Sequence, residues 1–90
     1  MENNNEEIII LIEYVKTSPN REKVIKTLDG EILKPSDISK ISGVHINTVS
    51  KCLKQLREQK LVRLLNPESK RGRLYKLTDK GSNVITNMQK

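Results

Sequence analysis

Asn47, Ser50, Lys51 and Lys54 recur at the i, i+3, i+4, i+7 spacing that sets four side chains on one face of a helix. An amide, a hydroxyl and two ammonium groups in that arrangement suit hydrogen bonding to the base edges and phosphates of a nucleic-acid groove. Asn47 can pair with an adenine edge, and Lys51 with a guanine edge or a phosphate. Ser50 and Lys54 fit phosphate contact better than base reading. Asn47 also has a plainer role open to it, satisfying backbone donors at a helix start. His45, Ile46 and Thr48 complete the beginning of the same helix. His45 stands at its N-cap, where a neutral ring nitrogen can accept a hydrogen bond less well than Ser or Thr would; contact with a phosphate, or no role at all, are equally open. Ile46 offers an apolar contact to a thymine methyl, and Lys40 and Gln55 mark the edge of the surface. A second basic group, Lys70, Arg71 and Arg73, surrounds Gly72. An Arg at a loop tip can enter a narrow minor groove, the alternative being a solvated loop without a fixed partner.

These side chains need two helices and a hairpin to hold them. Pro35 suits a first helical turn, Ile38 and Ile41 share a face, and Gly43 supplies the left-handed residue that ends the helix. Val49, Cys52, Leu53 and Leu56 then form an apolar stripe opposite the polar one. Helix, glycine turn and two-faced helix make a helix-turn-helix over residues 35–58. Residues 60–65 (KLVRLL) and 73–77 (RLYKL) are β-prone, and the seven residues 66–72 (NPESKRG) between them make a basic hairpin tip. The hairpin, a wing, occupies 62–77, and a last helix capped by Thr78 spans 78–89. Upstream, Ser18 and Pro19 open a helix that ends at Asp29-Gly30, with Val24, Ile25 and Leu28 as its buried face. Ile8, Leu11, Ile12 and Val15 fit one helical face, although IIILI at 8–12 also reads as a short strand; a helix is favoured. Ser39 and Ser42 stand where apolar residues are more usual, so a buried Ser39 hydroxyl must find a carbonyl.

The segment GVHINTVSKCLKQLREQKLV, followed by NPESKRGRLYKLTDKG, resembles the archaeal winged helix-turn-helix regulators related to the MarR and ArsR groups, across residues 19–88. The resemblance implies a mainly α fold with a small β-hairpin: a three-helix core plus wing, with extra N- and C-terminal helices. It implies that the helix after the glycine turn enters the major groove of double-stranded DNA. The hairpin then lies on the backbone or in the minor groove, and the protein regulates transcription. It also implies homodimers, since such proteins often bind two-fold related half-sites.

Charge is consistent with a nucleic-acid partner. Residues 1–33 hold seven acids and four bases, a balance of −3, whereas residues 34–90 hold four acids and thirteen bases, a balance of +9. Positive charge is therefore gathered on the reading helix, strands and wing, where it attracts phosphates. The 90 residues suit one domain over 6–90 after a disordered Met1–Asn5. No run of about 18 apolar residues exists, no basic signal peptide opens the chain, and one Cys precludes an internal disulfide. A cytoplasmic protein without membrane attachment is expected. The single His and single Cys lie seven residues apart, about 10.5 Å along one helix and too far to share a zinc. Neither a Gly-rich phosphate loop nor a nucleophile elbow is present. No enzyme activity, metal or cofactor is expected. Excess apolar residues on the first element (Ile9, Ile10, Tyr14) and the stripe Val84, Ile85 and Met88 fit a dimer interface or the core. The alternative function is a winged helix for protein–protein or RNA interaction.

Overall fold

The computed structural model describes residues 3–89. Its elements follow in the order α1 (Asn3–Lys16), α2 (Pro19–Thr27), α3 (Pro35–Ser42), α4 (Ile46–Glu58), β1 (Val62–Leu64), β2 (Tyr75–Leu77) and α5 (Asp79–Met88). This is the mainly helical winged-helix architecture, five helices and one antiparallel hairpin. Helix α1 resolves the strand alternative at 8–12 and begins earlier than expected: residues 3–5, read as disordered, have helical backbone, while Met1 and Glu2 lie outside the described residues.

The core is aliphatic. Val15, Val24, Ile25, Ile38, Val49, Leu56, Leu61 and Val84 are completely or almost completely buried. Leu11 of α1 joins them, with Ile8, Ile12 and Tyr14 partly covered. Val84 and Ile85 are core residues of this chain and Met88 packs beside them, so the α5 stripe is satisfied within the fold. Ile9 and Ile10 remain exposed on α1. Ile38 and Ile41 do not share a fate: Ile38 is buried, whereas Ile41, in the last turn of α3, is 63% exposed. Ile41 instead borders a shallow cleft shared with Lys23, Lys26 and Thr27 of α2.

Helix ends are closed by identifiable chemistry. Ser18 Oγ accepts from Arg21 N at 3.2 Å, and Thr78 Oγ1 accepts from Gly81 N at 3.0 Å. Gly43, at φ +76°, ends α3 and donates its N–H to Ser39 O at 2.9 Å. The turn that follows is tied by the two serines. Ser39 Oγ donates to Val44 O at 2.6 Å and Val44 N donates to Ser42 Oγ at 3.1 Å, so both polar groups of the Val44 backbone are satisfied by side chains. The end of α4 is a Schellman motif with Lys60 in the left-handed position at φ +63°: Lys60 N donates to Arg57 O and Leu61 N to Leu56 O, each at 2.9 Å.

The hairpin is shorter than its β-prone runs. Lys60 and Leu61 are consumed in closing α4, and Arg73 turns its Nε to Ser69 O at 3.2 Å, leaving three residues per strand. The register is Val62↔Leu77, Arg63↔Lys76, Leu64↔Tyr75. Leu33 adds a one-residue third edge, exchanging hydrogen bonds with Tyr75 at 2.9 and 3.1 Å. Asn66 organises the tip: its Nδ2 donates to Gly72 O at 3.1 Å and its Oδ1 accepts from Leu74 N at 2.8 Å.

Candidate nucleic-acid interface

Helix α4 is two-faced as its spacing requires. Val49, Cys52, Leu53 and Leu56 are buried, and Asn47, Ser50, Lys51 and Lys54 are all exposed on the other side. His45 is the N-cap, with Nδ1 accepting from Asn47 N at 3.1 Å. That contact uses a ring nitrogen of His45 as the acceptor at the start of α4. It also satisfies the Asn47 backbone N–H, one of the donors left without a helical partner in the first turn. Ile46 is 37% exposed beside it and Thr48 is half-buried.

A shallow cleft of about 360 Å³ separates α4 from the wing. Ser50, Lys54 and Arg57 line it from α4, Arg73 and Tyr75 from the wing, and Pro35 from the start of α3. Three cations on two opposed walls make it a site suited to a phosphate backbone. Arg57 was absent from the sequence-derived set, although it follows Lys54 by three residues and extends the same face by one turn. Arg73 is half-buried and oriented by its bond to Ser69 O, whereas Lys70 and Arg71 are exposed at the tip. The structure thus brings Ser50, Lys54 and Arg73 to one cleft and sets Lys70 and Arg71 beyond it.

Behind the exposed polar face of α4, Arg21 joins three helices. Its Nε donates to Tyr14 O at 3.0 Å, Nη2 donates to the same carbonyl, and Nη1 donates to Gln55 Oε1 at 3.0 Å, while the guanidinium lies 3.9 Å from the Tyr14 ring centroid. Gln55 is therefore a structural partner of α2, beyond its place at the surface edge. Burial pushes the Cys52 thiol up, opposed by the nearby Arg21 charge. Among the described residues, no group of three or more His, Cys, Asp and Glu side chains is placed to hold a metal. No described helix is long and apolar enough to cross a membrane.

Solved structures share this arrangement of helices and hairpin. The apo form of wild-type MarR from Escherichia coli superposes with a TM-score of 0.69 at 26% identity, covering 93% of this chain and 66% of that one. The fold is MarR-like. A cysteine-to-serine mutant of the same MarR, complexed with operator DNA, gives a TM-score of 0.69 at 26% identity over 93% of this chain and 64% of that one. RV1404 from Mycobacterium tuberculosis gives 0.72 over 98% of this chain and 63% of that one, and at 17% identity the likeness is one of fold alone. The chain therefore spans slightly less than two thirds of the length of these MarR-like neighbours. No family model and no curated protein matches the sequence. The MarR side of the resemblance is thus supported by solved structures, whereas the ArsR side and an archaeal source find no support among them.

Proposed function

We propose that this chain binds double-stranded DNA with sequence preference and regulates transcription, without enzymatic activity and as a cytoplasmic homodimer. The observation that carries the reading is the continuous hydrogen-bonding and cationic face of α4, set across a basic cleft from the wing. Asn47, Lys51, Ile46 and Thr48 at the start of α4 read base edges in the major groove. Ser50, Lys54, Arg57 and Arg73 hold the backbone that crosses the cleft, with His45 at its edge. Lys70 and Arg71 reach the adjacent minor groove. A MarR structure complexed with operator DNA supports the assignment by analogy of fold. Exposed Ile9 and Ile10, adjacent on α1, offer apolar surface to a second copy.

Fluorescence anisotropy on duplex DNA, titrated against salt with an RNA duplex alongside, tests the reading. DNA is expected to bind more tightly than RNA, with a steep negative salt slope. Arg71→Ala should flatten that slope by about one charge on every sequence. Asn47→Ala should instead cost about 1–3 kcal/mol on a selected site and little on random DNA. Failure of the folded protein to bind duplex DNA at low salt overturns the proposal in favour of a protein-binding winged helix.

A further inference from the structure

The wing has a second charged face that the reading above leaves unused. Each strand is buried, exposed, buried along its three residues, so Arg63 and Lys76 are the outward residues of β1 and β2. The register sets them directly opposite one another. Like charges facing across two strands disfavour the pairing, and neither side chain is needed for the core, which Val62, Leu64, Tyr75 and Leu77 supply from the other face. Lys60 and Lys80 line the same shallow cleft of about 410 Å³, in which Asp79 is the acid present. Lys80 is held 2.8 Å from Glu7, so the excess charge of the cleft comes from Lys60, Arg63 and Lys76 set against the Asp79 carboxylate. The N-terminal end of α5, capped by Thr78 at the cleft wall, adds the positive end of a helix dipole. A structural face would be better served by neutral residues; an accumulation of this kind suits a polyanion.

The position of the face selects the polyanion. The inner face of the hairpin packs into the core beneath α4, so the outer face looks away from the reading helix. Lys70 and Arg71 at the tip and Arg63 and Lys76 on the strands run along one hairpin, tip to base. A duplex that takes α4 in its major groove and the tip in the next minor groove continues past this outer face. We propose that Arg63, Lys76 and Lys60 bind the phosphate backbone of the flanking duplex and hold it bent toward the protein. The inference rests on the duplex-binding reading above and adds to it a contact outside the recognition site.

The test uses a duplex selected by this protein from a random-sequence pool, in two lengths. One ends at the minor groove contacted by the tip; the other extends about one helical turn further. The parent should bind the longer duplex more tightly and shorten the end-to-end distance read by energy transfer between terminal dyes. Two fewer phosphate contacts lower the salt slope by about two, so between roughly 50 and 200 mM salt the parent should lose about tenfold more affinity for the long duplex than R63Q/K76Q does. On the short duplex the two proteins should behave alike, and the variant should melt no lower than the parent because a like-charge pair has been relieved. Equal salt slopes and equal end-to-end distances on the long duplex would overturn the flank contact and leave the duplex-binding reading intact. Absence of binding to either duplex would overturn both.

Discussion

Cys52 sits on the buried stripe of α4 at 4% exposure, and burial raises its thiol from the ordinary value of 9.0 against the opposing pull of Arg21. The folded chain therefore holds that proton more tightly than the unfolded chain does. Stability from this source is fully present below the unfolded pKa and is lost as pH rises through the folded one. Denaturant melts of the parent and of Cys52→Ala should differ by a constant amount through neutral pH. Above pH about 9 the gap should narrow as the parent loses stability that the variant never had. Gly81 is a residue of another kind. A Cβ built there would stand 2.0 Å from the carbonyl oxygen of Leu61, which is backbone and cannot step aside. Gly81→Ala should cost about 3 kcal/mol or more, read as a fall in Tm.

At the level of elements, the end of α4 shows a cost that the fold carries openly. Lys60 occupies a left-handed conformation that disfavours any residue with a Cβ by about 1 kcal/mol or more. Lys60→Gly should therefore stabilise by about 0.5–1 kcal/mol, net of the extra freedom it gives the unfolded chain, and raise Tm by about 4 °C. Unchanged or lower stability would mean that the Lys60 side chain contributes packing of its own. The reading face of α4 was legible in the sequence because helical periodicity repeats it several times, in Asn47, Ser50, Lys51 and Lys54 and in the four buried residues opposite. The wing was legible as an element and blurred at its edges, since a β-prone composition at Lys60 and Leu61 says nothing of the helix ending that claims them. Contacts joining distant residues left no periodic trace. Arg21 meets Gln55 across 34 positions, Leu33 pairs with Tyr75 through one residue, and Asn66 ties the wing through its amide. Ser39 lay between: its polarity in an apolar place marked a debt, and only the fold shows Val44 O as the partner.

For the molecule as a whole, the balance of −3 in residues 1–33 and +9 in residues 34–90 becomes a division of labour in space. Helix α1 carries Glu6, Glu7 and Glu13 against Lys16, α2 is net basic and is followed by Asp29 and Glu31, and the helix-turn-helix and wing carry most of the basic remainder. Ile9 and Ile10, 61% and 66% exposed, lie on the less basic side, where a second copy would not bring two positive surfaces together. Sedimentation at tens of micromolar should show a species of twice 10.3 kDa, and Ile10→Glu should shift it toward monomer; a lone 10.3 kDa species in the parent would remove the dimer from the reading. The stretch from Lys60 to Leu61 bears on the same question of assembly. Leu61 N closes α4, Lys60 O and Leu61 O receive the side chain and backbone of Thr78, and Gly81 packs on Leu61 O. Two residues thus fix where the reading helix stops, where the wing starts and how α5 leaves. On the proposed duplex-binding reading, the spacing from α4 to the wing is a fixed gauge: the tip between Asn66 and Gly72 can change length and still meet a groove, whereas one residue added at the joint puts helix and wing out of step with the pitch of the duplex.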